Sequence, residues 1–364
     1  MLRRNIFKRD FSTGLCFLSV LCVCLCDLRG QRLVRIFKRR VRRGFAEIAE
    51  QTHDPQREQT GKCLSQHSFR ISCVRPIFTW NLGSRSLELG KRTLLMGIVN
   101  VTPDSFSDGG GHLAPEAAIA HALKLLDDGA DIVDIGGEST RPGAKVGYEN
   151  PAVSADEELR RVLPVIAGIK RDEPASIVSV DTYKAPVACA AVGAGAEIVN
   201  DVSGLQWDPQ MVKTLSALAC GVILMHTRGR PDEWRSLPAV PDMVVLVKRE
   251  LREQADVAVM AGIKRDRIVL DPGFGFGKRY EENYPLLRRF QELHDMHFPL
   301  LAGVSRKSFI GRTLARNGKE PSTNERLFGT LGGEISLALK GGHIIRTHDV
   351  RACAEALKLA DIAS

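Results

Sequence analysis

Eight short apolar runs in this chain end in residues that a packed core does not choose. They close with Asn100 and Thr102, Asp134 and Glu138, Asp181, Asn200 and Asp201, His226, Asp271, Ser305, and Arg346 and His348. Any one of these could be a strand-end cap; eight in one chain point to a shared polar face. Asp181, Asn200 and Asp271 carry donors and acceptors that an apolar floor leaves unsatisfied. A flat, nitrogen-rich heterocycle would satisfy them, because one carboxylate can accept from an amino group and an adjacent ring N–H. Internal pairing with Lys307 or Arg346 is the competing explanation. SRKS (305–308) and RTHD (346–349) add Arg306, Lys307, Arg346 and His348 to the same rim, a cationic set suited to a substrate carrying phosphates.

Three glycine-rich loops follow such runs. NVTPDSFSDGGG (100–111) exceeds the 2–6 residues of a minimal connection and suits a flap that closes over an anion. GGESTRPGA (136–144) sets Thr140 and Arg141 beside glycine, a candidate phosphate or carboxylate clamp, although a solvated loop arginine is the plainer alternative. DPGFGFGK (271–278) is not a P-loop, since Lys278 is followed by Arg279 where Ser or Thr is required and the glycine spacing is wrong. With no G-x-G-x-x-G after the first run, a dinucleotide cofactor is not expected. Zinc is poorly supported: no Cys-x-x-Cys occurs, His294 and His297 read as surface histidines, and Cys189, Cys220 and Cys353 read as core residues.

The runs themselves span 93–102, 131–138, 177–182, 198–201, 221–226, 268–273, 299–305 and 343–349. They are continuously apolar rather than alternating, as strands of a parallel sheet buried on both faces must be. Helical patterns separate them. One covers 114–130 with Gly129 as its stop; another covers 154–170 and opens with Ser154 and Glu157 at capping-box spacing. Eight strand–helix repeats predict an α/β fold, a (β/α)8 TIM barrel, whose strand ends converge on one face. FTWNLGSRSLELGKR (78–92) reads as an N-terminal β-hairpin that plugs the opposite end.

The chain has 364 residues and a net charge of +8. Twelve of its 51 basic residues and only two of its 43 acidic ones lie in 1–45, so the remainder is slightly acidic and gives no case for nucleic-acid binding. Nine cysteines in 364 residues are far below the density of a disulfide scaffold, and six of them precede residue 80. A sixteen-residue uncharged run (11–26) is short for a membrane span and lacks a cleavage site after it. Residues 1–76 are therefore read as an extension: a leader or import segment, upstream sequence translated in frame, or a disordered basic tail. Residues 77–364 form the expected barrel, with no membrane role.

Taken together, MGIVNVTPDSFSDGG (96–110), GADIVDIGGESTRPGA (129–144), SVDT, IVND, LDPGFGFGK, SRKS and RTHD closely resemble the dihydropteroate synthases, in the family's order and over about four fifths of the chain. The resemblance implies condensation of 6-hydroxymethyl-7,8-dihydropterin diphosphate with 4-aminobenzoate, with Mg2+, in folate biosynthesis, and sulfonamides as competitors. It implies that Asp181, Asn200, Met225, Asp271 and Lys307 hold the pterin, with Arg346 against its ring. Asn100 would meet the metal or diphosphate, and His348 with Arg141 or Thr140 would complete the anion site. Asp104 and Phe106 belong to the first flap; Ser305, Arg306, Pro142 and Phe276 lie near the aminobenzoate. A cytoplasmic homodimer is expected, or an organellar precursor in a eukaryote. The chain departs from many relatives in TRGRPDEW (227–234), which leaves the fifth loop open. A corrinoid-dependent methyltransferase would share the floor acids without needing the STRPGA and SRKS rims, and a dead pterin-binding paralogue would not need Asn100, Arg141, Lys307 and His348.

Overall fold

The computed structural model describes residues 75–102, 113–140, 144–147 and 151–363, all within the unit Arg70–Ser364. The expectations for the extension before residue 75 and for Asp104, Phe106, Arg141 and Pro142 lie outside the described residues. A hairpin comes first, β1 (Phe78–Asn81) against β2 (Ser86–Leu89), antiparallel with Phe78 opposite Leu89. Eight strands follow: β3 (Leu94–Asn100), β4 (Ile132–Gly136), β5 (Ile177–Asp181), β6 (Ile198–Asp201), β7 (Gly221–Met225), β8 (Ile268–Asp271), β9 (Leu301–Ala302) and β10 (Ile344–Thr347). All pair in parallel in the order β8-β7-β6-β5-β4-β3-β10-β9. A parallel bridge between Leu270 and Leu300 joins the two ends, so the sheet closes as the repeat count predicts.

The intervening helices are α1 (Leu113–Asp127), α2 (Ala155–Asp172), α3 (Ala185–Gly193), α4 (Met211–Ala217), α5 (Met243–Met260), α6 (Tyr280–Arg288), α7 (Ser308–Thr313), α8 (Leu327–Leu339) and α9 (Val350–Ala363). Ser154 caps α2 by accepting from the Glu157 N–H at 3.2 Å, as the spacing predicts. The reciprocal half of a capping box is replaced: the Glu157 carboxylate pairs with Arg160 and Arg161 instead. The seventh strand is shorter than its apolar run: its ladder ends at Ala302, and the chain then turns at Ser305 and a left-handed Arg306 (φ 58°).

The strand period of two sorts every side chain inward or outward. Outward residues such as Val133, Val178, Val199 and Val222 pack beneath the helices. Inward, Leu94, Met96, Ile132, Ile177, Ile198, Ile223, Val269, Leu301 and Ile344 form an apolar layer with Trp80, Leu82 and Leu89 of the hairpin segment. The hairpin thus seals this end, and its Trp80 donates its indole N–H to the Arg267 carbonyl at 2.8 Å. Each fully buried aliphatic side chain here contributes about 1.5–3 kcal/mol. Arg75 reaches the Thr93 hydroxyl at 2.8 Å and the Ala338 carbonyl at 3.0 Å, and the Pro76 carbonyl contacts the His343 ring at 2.9 Å. Attachment to the barrel therefore begins at least two residues before Ile77.

Two sequence readings need correction. Cys220 and Cys353 are core residues, but Cys189 is exposed, because Val187, Ala188 and Ala191 fill the buried side of α3. His294 is half-buried, edge-on to His343; only His297 lies at the surface. Among the described residues, no helix is long and apolar enough to cross a membrane.

Candidate active site

Two residues above the apolar layer, the same inward faces turn polar. Asp134 follows Ile132, Asn200 follows Ile198, Asp271 follows Val269 and Arg346 follows Ile344, while Met225 follows Ile223. On β5 the step is four residues, from Ile177 past the buried Ser179 to Asp181. Barrel closure then brings β10 beside β3, one strand from β4. The Arg346 guanidinium donates through Nε to Asp134 Oδ2 at 2.6 Å and through Nη2 to Asp181 Oδ2 at 2.7 Å. Asn200 Nδ2 donates to the same Asp134 oxygen at 3.0 Å. The other Asp134 oxygen is buried with no partner among the described residues.

Asp134 is the floor residue that the site reading from sequence passed over. Its signal was present, a strand-end acid two positions after an apolar residue, but its role depends on a partner 212 residues away.

Asp271 accepts the Gly273 N–H at 2.7 Å through Oδ1. Burial pushes its carboxyl up to about 6, against the Gly273 hydrogen bond and the charges of Lys307 and Arg346. Burial likewise lifts Asp181 to about 7 despite Arg346. The Lys307 ammonium sits 4.1 Å from the centre of the Phe276 ring, and burial together with Arg346 lowers it to about 8. Asp181, Lys307 and Arg346 remain partly open, whereas Asp134, Asn200 and Asp271 are buried. Tyr183, Val202, Trp207, Met225 and Phe276 form an apolar wall at this end.

On the rim, His348 Nδ1 lies 3.0 Å from Ser305 Oγ, and burial beside Arg346 and Arg306 pushes the imidazole down to about 3, so it is neutral at pH 7. The Ser305 hydroxyl is therefore engaged by histidine. Arg306 forms a two-bond pair with Asp349, with Nε–Oδ2 at 3.0 Å and Nη2–Oδ1 at 2.6 Å. Thr140 is half-buried and Asn100 is exposed at the end of β3.

Not every polar strand end joins the site. Asp201 turns outward and accepts from Ser203 and Leu205 in its own loop. His226 is buried between Glu250 (2.9 Å) and Lys278 (2.9 Å). Lys278 also donates to the carbonyls of Gly273 (2.7 Å) and Phe276 (3.1 Å), so this lysine braces its own loop rather than a phosphate. The loop needs glycine at 273: φ is 64°, and a Cβ there would meet the His226 carbonyl oxygen at 1.9 Å.

The profile of the pterin binding enzymes matches residues 96–348. A dihydropteroate synthase of Synechocystis is 42% identical over 281 residues, covering 77% of this chain and 93% of that protein. The Xanthomonas albilineans dihydropteroate synthase with 4-aminobenzoic acid superposes with a TM-score of 0.71 at 42% identity, covering 79% of this chain and 98% of that one. The chain belongs to the dihydropteroate synthase family. The same Xanthomonas enzyme in complex with 7,8-dihydropteroate gives a TM-score of 0.69 at 40% identity, covering 78% and 98%. As a dihydropteroate synthase family member the chain is a transferase of folate biosynthesis. Its floor offers carboxylates for paired N–H donors, a planar cation with an open face, and an ammonium above an aromatic ring.

Proposed function

We propose that the chain joins 6-hydroxymethyl-7,8-dihydropterin diphosphate to 4-aminobenzoate, releasing 7,8-dihydropteroate and diphosphate. The observation that carries this reading is the half-open floor, where Arg346 spans Asp134 and Asp181 while Asp271 and Lys307 stand beside it. Asp271 accepts the pterin's amino and ring N–H pair, Asn200, Asp181 and Lys307 meet the remaining ring heteroatoms, and Met225 supplies apolar contact. Arg346 lies flat against the ring; Asp134 and Asp181 hold its guanidinium pKa above the ordinary value even though burial opposes them.

Bond making is between the aryl amine nitrogen and the pterin's exocyclic methylene carbon. The carbon–oxygen bond to diphosphate breaks, the electron pair leaves with the diphosphate, and the amine loses one proton. The amine is already neutral at pH 7, so the site must chiefly orient it, a task assigned to Ser305, Arg306, Phe276 and Pro142. Sulfonamides compete there. Thr140, Arg141 and the neutral His348, which can donate one N–H, receive the diphosphate, and Asp104 and Phe106 act from the first flap.

Among the described residues no group of three or more acidic, histidine or cysteine side chains could hold a metal. Mg2+ needs no such cage, because it keeps water and takes one or two protein oxygens plus substrate phosphates. The exposed amide of Asn100 fits that role, and Mg2+ bound there would neutralise charge on the leaving diphosphate.

The reading includes a cytoplasmic homodimer with small-molecule substrates and no nucleic-acid partner. Phe328 on α8 and Leu359 and Ile362 on α9 are 84%, 71% and 84% exposed, an apolar set suited to a second copy. Residues 77–364 are the catalytic unit in this reading, and a chain beginning at Arg75 retains the Thr93 contact as well. Incubating the chain with both substrates and Mg2+ should give dihydropteroate by mass, less with a sulfonamide and none after chelation. Pterin binding without product would overturn the synthase reading.

A further inference from the structure

Just beyond β5, Tyr183 and Lys184 are buried, adjacent and unused by the reaction as described so far. Lys184 Nζ donates to Glu138 Oε2 at 2.5 Å and to Glu158 Oε2 at 2.5 Å. Glu138 lies early in the second βα loop, two positions before Thr140. Arg161 ties the preceding residue, donating to the Gly137 carbonyl at 2.8 Å. The Tyr183 hydroxyl accepts the Gly147 N–H at 3.1 Å, in the same connection from β4 to α2. The Tyr183 ring meets Trp207 edge-on at 5.2 Å and belongs to the apolar wall that includes Phe276.

The pair itself has little freedom. Its backbone is held by the Thr182 hydroxyl, which accepts from Lys184 N at 3.1 Å, and by Asp208, which accepts from Ala185 N at 2.8 Å. The ammonium also lies 4.5 Å from the centre of its neighbour's ring. Packing alone does not account for one cation buried between two carboxylates, since apolar residues of like volume are often as stable.

We infer that Tyr183 and Lys184 are positioning residues for the transfer reaction, fixing Gly147 and Glu138 in the connection from β4 to α2 so that Thr140, two residues from Glu138, is held at the diphosphate end of the substrate. The inference rests on the proposed role of Thr140. A displacement of about 1 Å in such a contact can lower a rate by about 100-fold, so two remote anchors can matter to chemistry.

The test uses the full-length chain and two separate probes, inorganic diphosphate with Mg2+ and 6-hydroxymethylpterin, which lacks the diphosphate. Tyr183→Phe removes one oxygen and should weaken diphosphate binding and raise KM for the pterin diphosphate about fivefold. Lys184→Met should exceed about tenfold and lower kcat as well, and Lys184→Arg should restore part of both. Because Lys184→Met strands two buried carboxylates, Lys184→Met/Glu158→Gln serves where the single variant does not fold. Pterin binding should stay within about twofold in all of them.

Equal weakening of both probes would mean a general structural role and would overturn the inference. So would unchanged diphosphate binding in Tyr183→Phe and the lysine variants while Thr140→Val weakens it. If Thr140→Val itself leaves diphosphate binding intact, the anion-site reading fails and the inference falls with it.

Discussion

The lower half of the barrel interior and its upper floor are built from the same strands, two residues apart, yet they answer to different physics. Below, Ile132, Ile198, Val269 and Ile344 meet the hairpin's Trp80 in a dry layer stabilised by burial. Above, Asp134, Asn200, Asp271 and Arg346 occupy the next inward positions, where burial penalises every charge and only mutual pairing or a ligand offsets it. The lower layer is complete by itself. The upper one is left partly unsatisfied, with an Asp134 oxygen that has no partner among the described residues and carboxyls lifted toward neutrality, and such incomplete satisfaction is what a bound heterocycle would relieve.

The sharpest way to break this contrast is at Arg346. Arg346→Ala strands Asp134 and Asp181, so it should cost about 3–5 kcal/mol of stability in denaturant unfolding. It should also lower kcat/KM about 1000-fold, since planar cation and pairing are lost together. A variant with near-normal kinetics would make the floor merely structural. Next comes Asp271→Asn, which keeps shape but replaces one carboxylate oxygen with an NH2 donor, so it cannot accept a side-by-side N–H pair. Calorimetry should show pterin affinity lower by about 100-fold, with thermal stability held or raised because a buried acid has been removed. A parallel loss of stability would blur the two layers.

On the other side, Ile198→Ala should cost about 2–5 kcal/mol in unfolding experiments. The kcat/KM of the folded fraction should stay within about twofold, and a large change would show that the lower layer shapes the site.

The smallest expected effect is pH dependence. Folded Asp271 keeps its proton up to about 6, whereas an unfolded aspartate releases it near 3.9. Between those values the folded chain binds more protons, so the contribution of Asp271 favours folding below pH 4 and is lost as pH rises through 6. Pterin binding needs the carboxylate and should strengthen through the same window, about fivefold between pH 5 and 6 and about tenfold between pH 5 and 7. Asp271→Asn should flatten both curves. A wild-type affinity that is flat from pH 5 to 7 would remove Asp271 from the recognition pair.

Much of this was legible in the residues. Continuous β-branched runs separated by helical patterns specify a parallel barrel, because only strands covered on both faces tolerate them. Period two within each strand places Asn200, Asp271 and Arg346 inward, and the hairpin's Trp80, Leu82 and Leu89 can only be plug residues once the barrel exists. What the residues could not disclose was each polar group's partner. Asp201 and His226 end their strands much as Asp181 does, yet they serve their own loops and a buried lysine. The bridge from Arg346 to Asp134 and Asp181, the pairing of Ser305 with His348, and the hold of Lys184 on Glu138 arise only after closure. Periodicity is a local property and decides which way a side chain points; partners across a barrel are chosen by ring closure and loop packing, and only the tertiary structure decides those.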